Sequence, residues 1–227
     1  MKRIGMIVAV EIRSVFSRYQ DQLERLEVRG HRVYRLRHHG AEIYIAHSGA
    51  GQIKAAAAVQ MLIDRFDVEW IVNFGVVGSL REELDVAHTC FVKHVVHYEM
   101  DTSAVDHIPV GRHVEYPDVF LPTSRELLDV VSAHFPDIPL VNCASGDKFV
   151  ASPETKRELQ ERFQCDICDM ESAAVVLVCD LHGIPNLLIK TVSDSITGGA
   201  QEFLQRVNDT ADLCLQIVDQ LLREMVG

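Results

Sequence analysis

No uninterrupted apolar run in this 227-residue chain approaches the ~20 residues that a membrane-spanning helix needs. A basic surplus is also missing. The formal net charge is −11, which argues against a general nucleic-acid binder, whose affinity rests on neutralised phosphates. The eleven histidines show no helical His-Glu-x-x-His spacing, and Cys165-x-x-Cys168 has no second such pair, so no metal and no cofactor are expected. Ser48-Gly49-Ala50-Gly51 and Gly75-Val76-Val77-Gly78-Ser79 match neither a Walker loop nor a dinucleotide fingerprint. No low-complexity linker or internal repeat divides the chain.

What is present fits one globular domain spanning residues 1–227. Hydrophobic residues make up 48% of the chain, too many for disorder, and a chain of this length buries a substantial core. The start, Met1-Lys2-Arg3-Ile4-Gly5-Met6-Ile7-Val8-Ala9-Val10, imitates a signal peptide, but its apolar stretch is short and Glu11 and Arg13 follow at once. It reads as a first buried strand. Six cysteines sit mostly inside apolar segments, as buried thiols do in a reducing compartment, so a cytoplasmic location is expected. The one basic cluster, Arg32, Arg35, Arg37, His38 and His39, reads as a solvated strand face.

Periodicity places strands near Arg3–Val10, His31–Arg37, Glu42–Ala46, Trp70–Phe74, His88–Val96, Leu140–Ala144, Cys165–Cys168 and Asn186–Val192. It places helices near Arg13–Leu26, Gln52–Arg65, Thr123–Phe135, Pro153–Arg162, Glu171–His182 and Glu202–Met225. This alternation predicts an α/β fold: a single-domain, three-layer αβα sandwich around a central mixed, twisted sheet. The longest irregular stretch, Tyr98 to Pro122, reads as a pocket lid or a subunit contact.

Two acidic groups fall where apolar strands end, which is where an open α/β sheet keeps its ligands. Glu171 opens a helix after Cys168-Asp169-Met170, and the helix dipole there favours an ionised carboxylate. Asp194 follows the run Asn186 to Val192. Taken singly, either is as readily a first-turn acid or a helix cap. The glycine clusters offer backbone close to a ligand, although tight packing of turns explains each equally well.

Met170-Glu171 followed by Ser193-Asp194, with Ser145-Gly146-Asp147-Lys148-Phe149-Val150 and Asn73-Phe74-Gly75-Val76-Val77-Gly78 before them, resembles the nucleoside phosphorylase/nucleosidase superfamily. Within it the chain is most similar to the 5′-methylthioadenosine/S-adenosylhomocysteine nucleosidases. The resemblance implies cleavage of the N-glycosidic bond of a purine nucleoside, and a homodimer. It implies that Asp194, with Ser193 beside it, protonates purine N7, that Glu171 grips the ribose hydroxyls, and that Met170 lines the sugar. Phe149 would stack on the purine and the Val150 backbone would read its edge, with Ala9, Ala50 and Val76 as further pocket positions. Such a cleavage builds oxocarbenium character on the ribose, which a nearby carboxylate stabilises.

The chain departs from that pattern at the nucleophile. Counting along the first strand without gaps puts Arg13 where the nucleosidases carry a water-engaging glutamate, with Glu11 two residues away as an uncertain substitute. Lys190 stands where they carry an arginine. Arg13 and Lys190 would make the nucleophile side electropositive, suiting phosphate, and phosphorolysis is therefore the alternative to hydrolysis. The phosphorylases' arginine and serine around the next glycine loop are, however, Asn73 and Val76 here. A nucleoside-binding protein with degraded catalysis is the third reading.

Overall fold

The computed structural model describes residues 1–226. The chain runs β1 (Arg3–Val8), α1 (Ile12–Tyr19), β2 (Glu24–Val28), β3 (His31–His38), β4 (Ala41–His47), α2 (Gln52–Phe66), β5 (Trp70–Ser79) and β6 (Thr89–His97). It continues through α3 (Ser103–Asp106), β7 (Leu121–Pro122), α4 (Arg125–His134), β8 (Leu140–Ser145), α5 (Pro153–Phe163), β9 (Ile167–Asp169), α6 (Ser172–Leu181), β10 (Asn186–Asp194) and α7 (Ala200–Val226).

All ten strands join one mixed sheet, as expected of the α/β pattern. Strand side chains alternate between faces, and the two faces feed different cores. Ile4, Met6 and Val8 of β1 pack with α1, α4 and α7, while Ile7 packs with α2 and α6. Helices thus cover both faces, giving the three layers. One feature exceeds an open sandwich: β5 pairs in parallel with β10, and β10–β6–β8–β9–β5 return to it, so five strands close a ring. All nine residues of β10 are buried because it lies within this ring, the polar Lys190, Ser193 and Asp194 among them.

The predicted first helix stops early. It ends at Tyr19, and residues 24–28 form β2, an edge strand hairpinned to β3 through Arg29-Gly30, with Gly30 at φ +79°. Leu23 and Leu26 continue the helical spacing of the apolar positions, which concealed the strand. Arg35 and Arg37 of the basic cluster are paired with carboxylates: Arg35 Nε donates to Glu24 Oε2 at 3.1 Å, its NH1 lies 3.5 Å from Glu42 Oε1, and Arg37 Nε lies 3.4 Å from the same oxygen. All six cysteines are unpaired and buried, Cys165 and Cys168 among them. No helix among the described residues is long and apolar enough to cross a membrane.

Candidate active site

The turns after β1, β4, β8 and β9, together with the ends of β5 and β10, converge on one cavity of about 250 Å³. Every sequence-predicted site residue except Arg13 lines it: Ala9, Glu11, Ala50, Val76, Phe149, Val150, Met170, Glu171, Ser193 and Asp194. Val10, Lys148, Cys168, Asp169 and Phe203 complete most of the wall. No residue of the Tyr98–Pro122 stretch lines it, so the lid reading fails; Glu99 instead accepts from the Asp147 amide, and Tyr98 and Phe120 pack behind the wall.

Arg13 is the principal correction. It projects into solvent from the first turn of α1. Gap-free counting failed because the chain breaks strand geometry at Ala9 and enters α1 at Ile12, which turns Glu11, not Arg13, back over the sheet. Glu11 is 5% exposed, and its carboxylate accepts from the Val76 amide (2.9 Å) and the Val10 amide (2.9 Å). Gly75 makes this approach possible: a Cβ there would stand 2.9 Å from Glu11 Oε1.

Glu171 also behaves differently from a first-turn acid. Its side chain caps no amide of α6. That service falls to Asp169, whose Oδ1 accepts from Ser172 N at 3.2 Å. Glu171 reaches instead to Gly51 N at 2.8 Å, the N-cap of α2, where Gly51 holds φ +107°. Burial, reinforced by the Asp169 charge, pushes the Glu171 carboxyl up to about 7. The expected dipole stabilisation of its ionised form is outweighed by desolvation.

The second predicted cation is spoken for. Lys190, 1% exposed, lies 2.8 Å from Asp169 Oδ2 and donates to Asn73 Oδ1 at 2.6 Å. Burial alone would depress this ammonium, but Asp169 and Glu171 outweigh it and raise it above its ordinary value. Arg81 is paired with Asp166. The electropositive nucleophile side anticipated from Arg13 and Lys190 therefore does not form.

A lysine that the sequence reading passed over completes the site. Lys156 of α5 is fully buried, and its Nζ donates to Asp194 Oδ2 at 2.6 Å. A lysine in a polar, amphipathic helix carries no sequence signal of this kind; only the fold turns it inward. Asp194 is 1% exposed, and its Oδ1 accepts from Ser193 Oγ at 2.9 Å. The aromatic wall is a pair, with Phe149 and Phe203 edge to face at 5.2 Å. Far from the cavity, His38, His39 and Asp219 come within 4.8 Å of one another, but Asp219 is already held by Arg18 (3.0 Å) and Tyr19 OH (3.0 Å).

Two of the four carboxylates around the cavity, Asp169 and Asp194, thus carry lysine counterions, while Glu11 and Glu171 have backbone amides only. That set suits a neutral polyol and a neutral nucleophile. Residues 3–226 match the family model described as "Phosphorylase superfamily", and the chain belongs to that superfamily. An aminodeoxyfutalosine nucleosidase of Helicobacter pylori strain J99 is 29% identical over 97% of this chain and all of its own length. A 5′-methylthioadenosine/S-adenosylhomocysteine nucleosidase of Tolumonas auensis is 27% identical over 85% of this chain and 86% of its own. The crystal structure of a Helicobacter pylori 5′-methylthioadenosine/S-adenosylhomocysteine nucleosidase, bound to a pyrrolopyrimidine ligand, superposes with a TM-score of 0.91 at 25% identity, covering 99% of both chains.

Proposed function

We propose that this protein is a nucleosidase that hydrolyses the N-glycosidic bond of a purine nucleoside, with adenine as the leaving base and 5′-methylthioadenosine, S-adenosylhomocysteine or a related 5′-substituted nucleoside as substrate. The observation that carries the reading is the placement of Glu11, Glu171 and Asp194 around one cavity with an aromatic pair on its wall. Phe149, backed by Phe203, stacks on the base and the Val150 backbone reads its edge. Met170 lies against the sugar and Glu171 takes its hydroxyls, with Ala9, Ala50 and Val76 shaping the pocket around them.

In the reaction Asp194 must first take up a proton, which it then delivers to purine N7 with Ser193 beside it, so that the base departs neutral as the bond to the anomeric carbon breaks. A water molecule adds its oxygen to that carbon and gives its proton to Glu11. The negative carboxylates stabilise the cationic sugar between these events. Proton transfer of this kind is worth roughly 10²–10⁴-fold.

Phosphorolysis is disfavoured by the same geometry. A phosphate would need the Val76 amide that Glu11 already occupies, and it would face two carboxylates without a cation partner. The deciding experiment is a base-release assay on purine nucleosides with and without phosphate. Release in phosphate-free buffer with the free sugar as product, still carrying its 5-substituent where the substrate has one, is expected; strict phosphate dependence with the corresponding sugar 1-phosphate as product would overturn the reading, and no release in either buffer would favour a binding protein.

The chain is further proposed to act as one unit over residues 1–227 and as a homodimer. Ile53 on α2 and Val105 on α3 are 81% and 79% exposed, large apolar side chains of the kind a partner subunit covers. Six unpaired thiols suit a cytoplasmic setting.

A further inference from the structure

Lys156 spends all three of its ammonium protons on the active-site rim. Besides Asp194 Oδ2 at 2.6 Å, its Nζ donates to the carbonyl of Ser195 at 2.6 Å and to that of Gly198 at 3.2 Å. It is fully buried, so no water competes for these bonds. The loop it grips is pressed against the segment that carries the aromatic wall, since a Cβ on Gly199 would meet the Ala151 carbonyl oxygen at 2.8 Å. The same loop is closed from its other end by Glu202, whose Oε2 accepts from Ser195 N at 2.7 Å and from Ser195 Oγ at 3.0 Å. The next residue of α7 is Phe203, packed on Phe149.

A buried ammonium is costly unless paired and fully hydrogen-bonded, and an apolar residue could fill the space without that cost. The position of this one accounts for its presence. With Ser193 Oγ on Oδ1 and Lys156 Nζ on Oδ2, the Asp194 carboxyl is held at both oxygens and cannot rotate about its last bond. The strand end, the following loop and the Phe149–Phe203 pair are referenced to one cation on α5.

We propose that Lys156 is a positioning residue for the proton-donating step: it fixes the Asp194 carboxyl relative to the aromatic wall, so that the acid faces N7 of the stacked base. This rests on the nucleosidase reading above. Its failure is distinguishable, because Asp194 can be the acid whether or not Lys156 positions it.

The test measures kcat and KM for adenine release from 5′-methylthioadenosine, together with thermal melting and adenine binding. Lys156→Met removes the charge at similar length. It is expected to lower kcat at least 100-fold with KM and adenine affinity within about fivefold. Lys156→Arg keeps the charge, and so the fold, but its wider fork must shift the carboxyl. A kcat loss of about tenfold with parental KM and melting is expected. Parental kcat in Lys156→Arg, or a Lys156→Met loss that merely tracks the unfolded fraction, would overturn the proposal. Parental turnover in Asp194→Asn would instead strike at the nucleosidase reading itself.

Discussion

Glu11 lies so close over Gly75 that the glycine has room for a hydrogen and nothing larger: a methyl carbon would sit 2.9 Å from the Glu11 Oε1. The two residues are 64 positions apart, and in the proposed reaction this carboxylate is the base for water. Glu11→Gln is expected to reduce kcat by roughly 10²–10⁴-fold with little change in KM. Gly75→Ala should impair release as well, by displacing Glu11, in a protein that still folds. Arg13→Ala should leave kcat/KM within about twofold. Steady-state base release checks all three, and a large loss in Arg13→Ala would show that the exposed arginine moves into the site.

Asp194→Asn is expected to abolish release while holding nucleoside binding within about tenfold, because the amide keeps the shape without serving as an acid. It should also lower the melting temperature. The buried Lys156 ammonium loses its counter-charge, and breaking one side of such a pair is destabilising by roughly 3–5 kcal/mol. Calorimetry beside ligand titration separates the two effects.

Glu171 carries an opposite sign. Its folded carboxyl titrates at about 7, against an ordinary 4.5, so the folded chain holds that proton more tightly than the unfolded one. Its contribution to stability is therefore fully present below about pH 4.5 and is lost as pH rises through 7. Glu171→Gln should then melt higher than the parent at pH 8, by at most about 3 kcal/mol of stability, while KM rises and kcat falls together. A mutant that melts lower at pH 8 would refute the desolvation account.

Asp219 tests the remote cluster. Burial pushes its carboxyl up, but the donors Arg18, His38 and Tyr19 outweigh this and hold it at about 2. Its stabilisation is present above the ordinary carboxylate value near 3.8 and fades as pH falls toward 2. Asp219→Asn is expected to cost about 1–3 kcal/mol at neutral pH by leaving those donors under-satisfied, with turnover unchanged. Denaturant melts at pH 7 and pH 3 check it; the difference from the parent should shrink at the lower pH.

The legible part of this protein was whatever declares itself along the chain. The strand run of β10 and the acid at its end mark a buried strand and a pocket residue, and Glu171 is legible in the same way after β9; Met170, Phe149 and Val150 are legible only through the resemblance of their motifs to the nucleosidases. What escaped depended on three-dimensional return. Arg13 was favoured over Glu11 because counting along a strand assumes the strand continues, whereas the chain bends at Ala9. Lys156 sits in a helix whose pattern is polar, and its inward turn follows from how α5 docks beside β9. The closing of β5 onto β10 is likewise a long-range pairing, with no trace in either strand's composition. Strand β2 was lost because its leucines also fit a helical period.

The six sealed thiols turn the native molecule into its own recorder of motion. Burial pushes each thiol pKa upward, so none reacts readily while its surroundings stay closed. They are spread across the structure: Cys90 in β6, Cys143 in β8, Cys165 and Cys168 at β9, Cys179 in α6 and Cys214 in α7. A thiol reagent added to the folded protein thus reads out, cysteine by cysteine, the order in which the layers breathe. Cys168 alone borders the cavity, so its labelling should slow when the pocket is filled while the other five keep their own clocks.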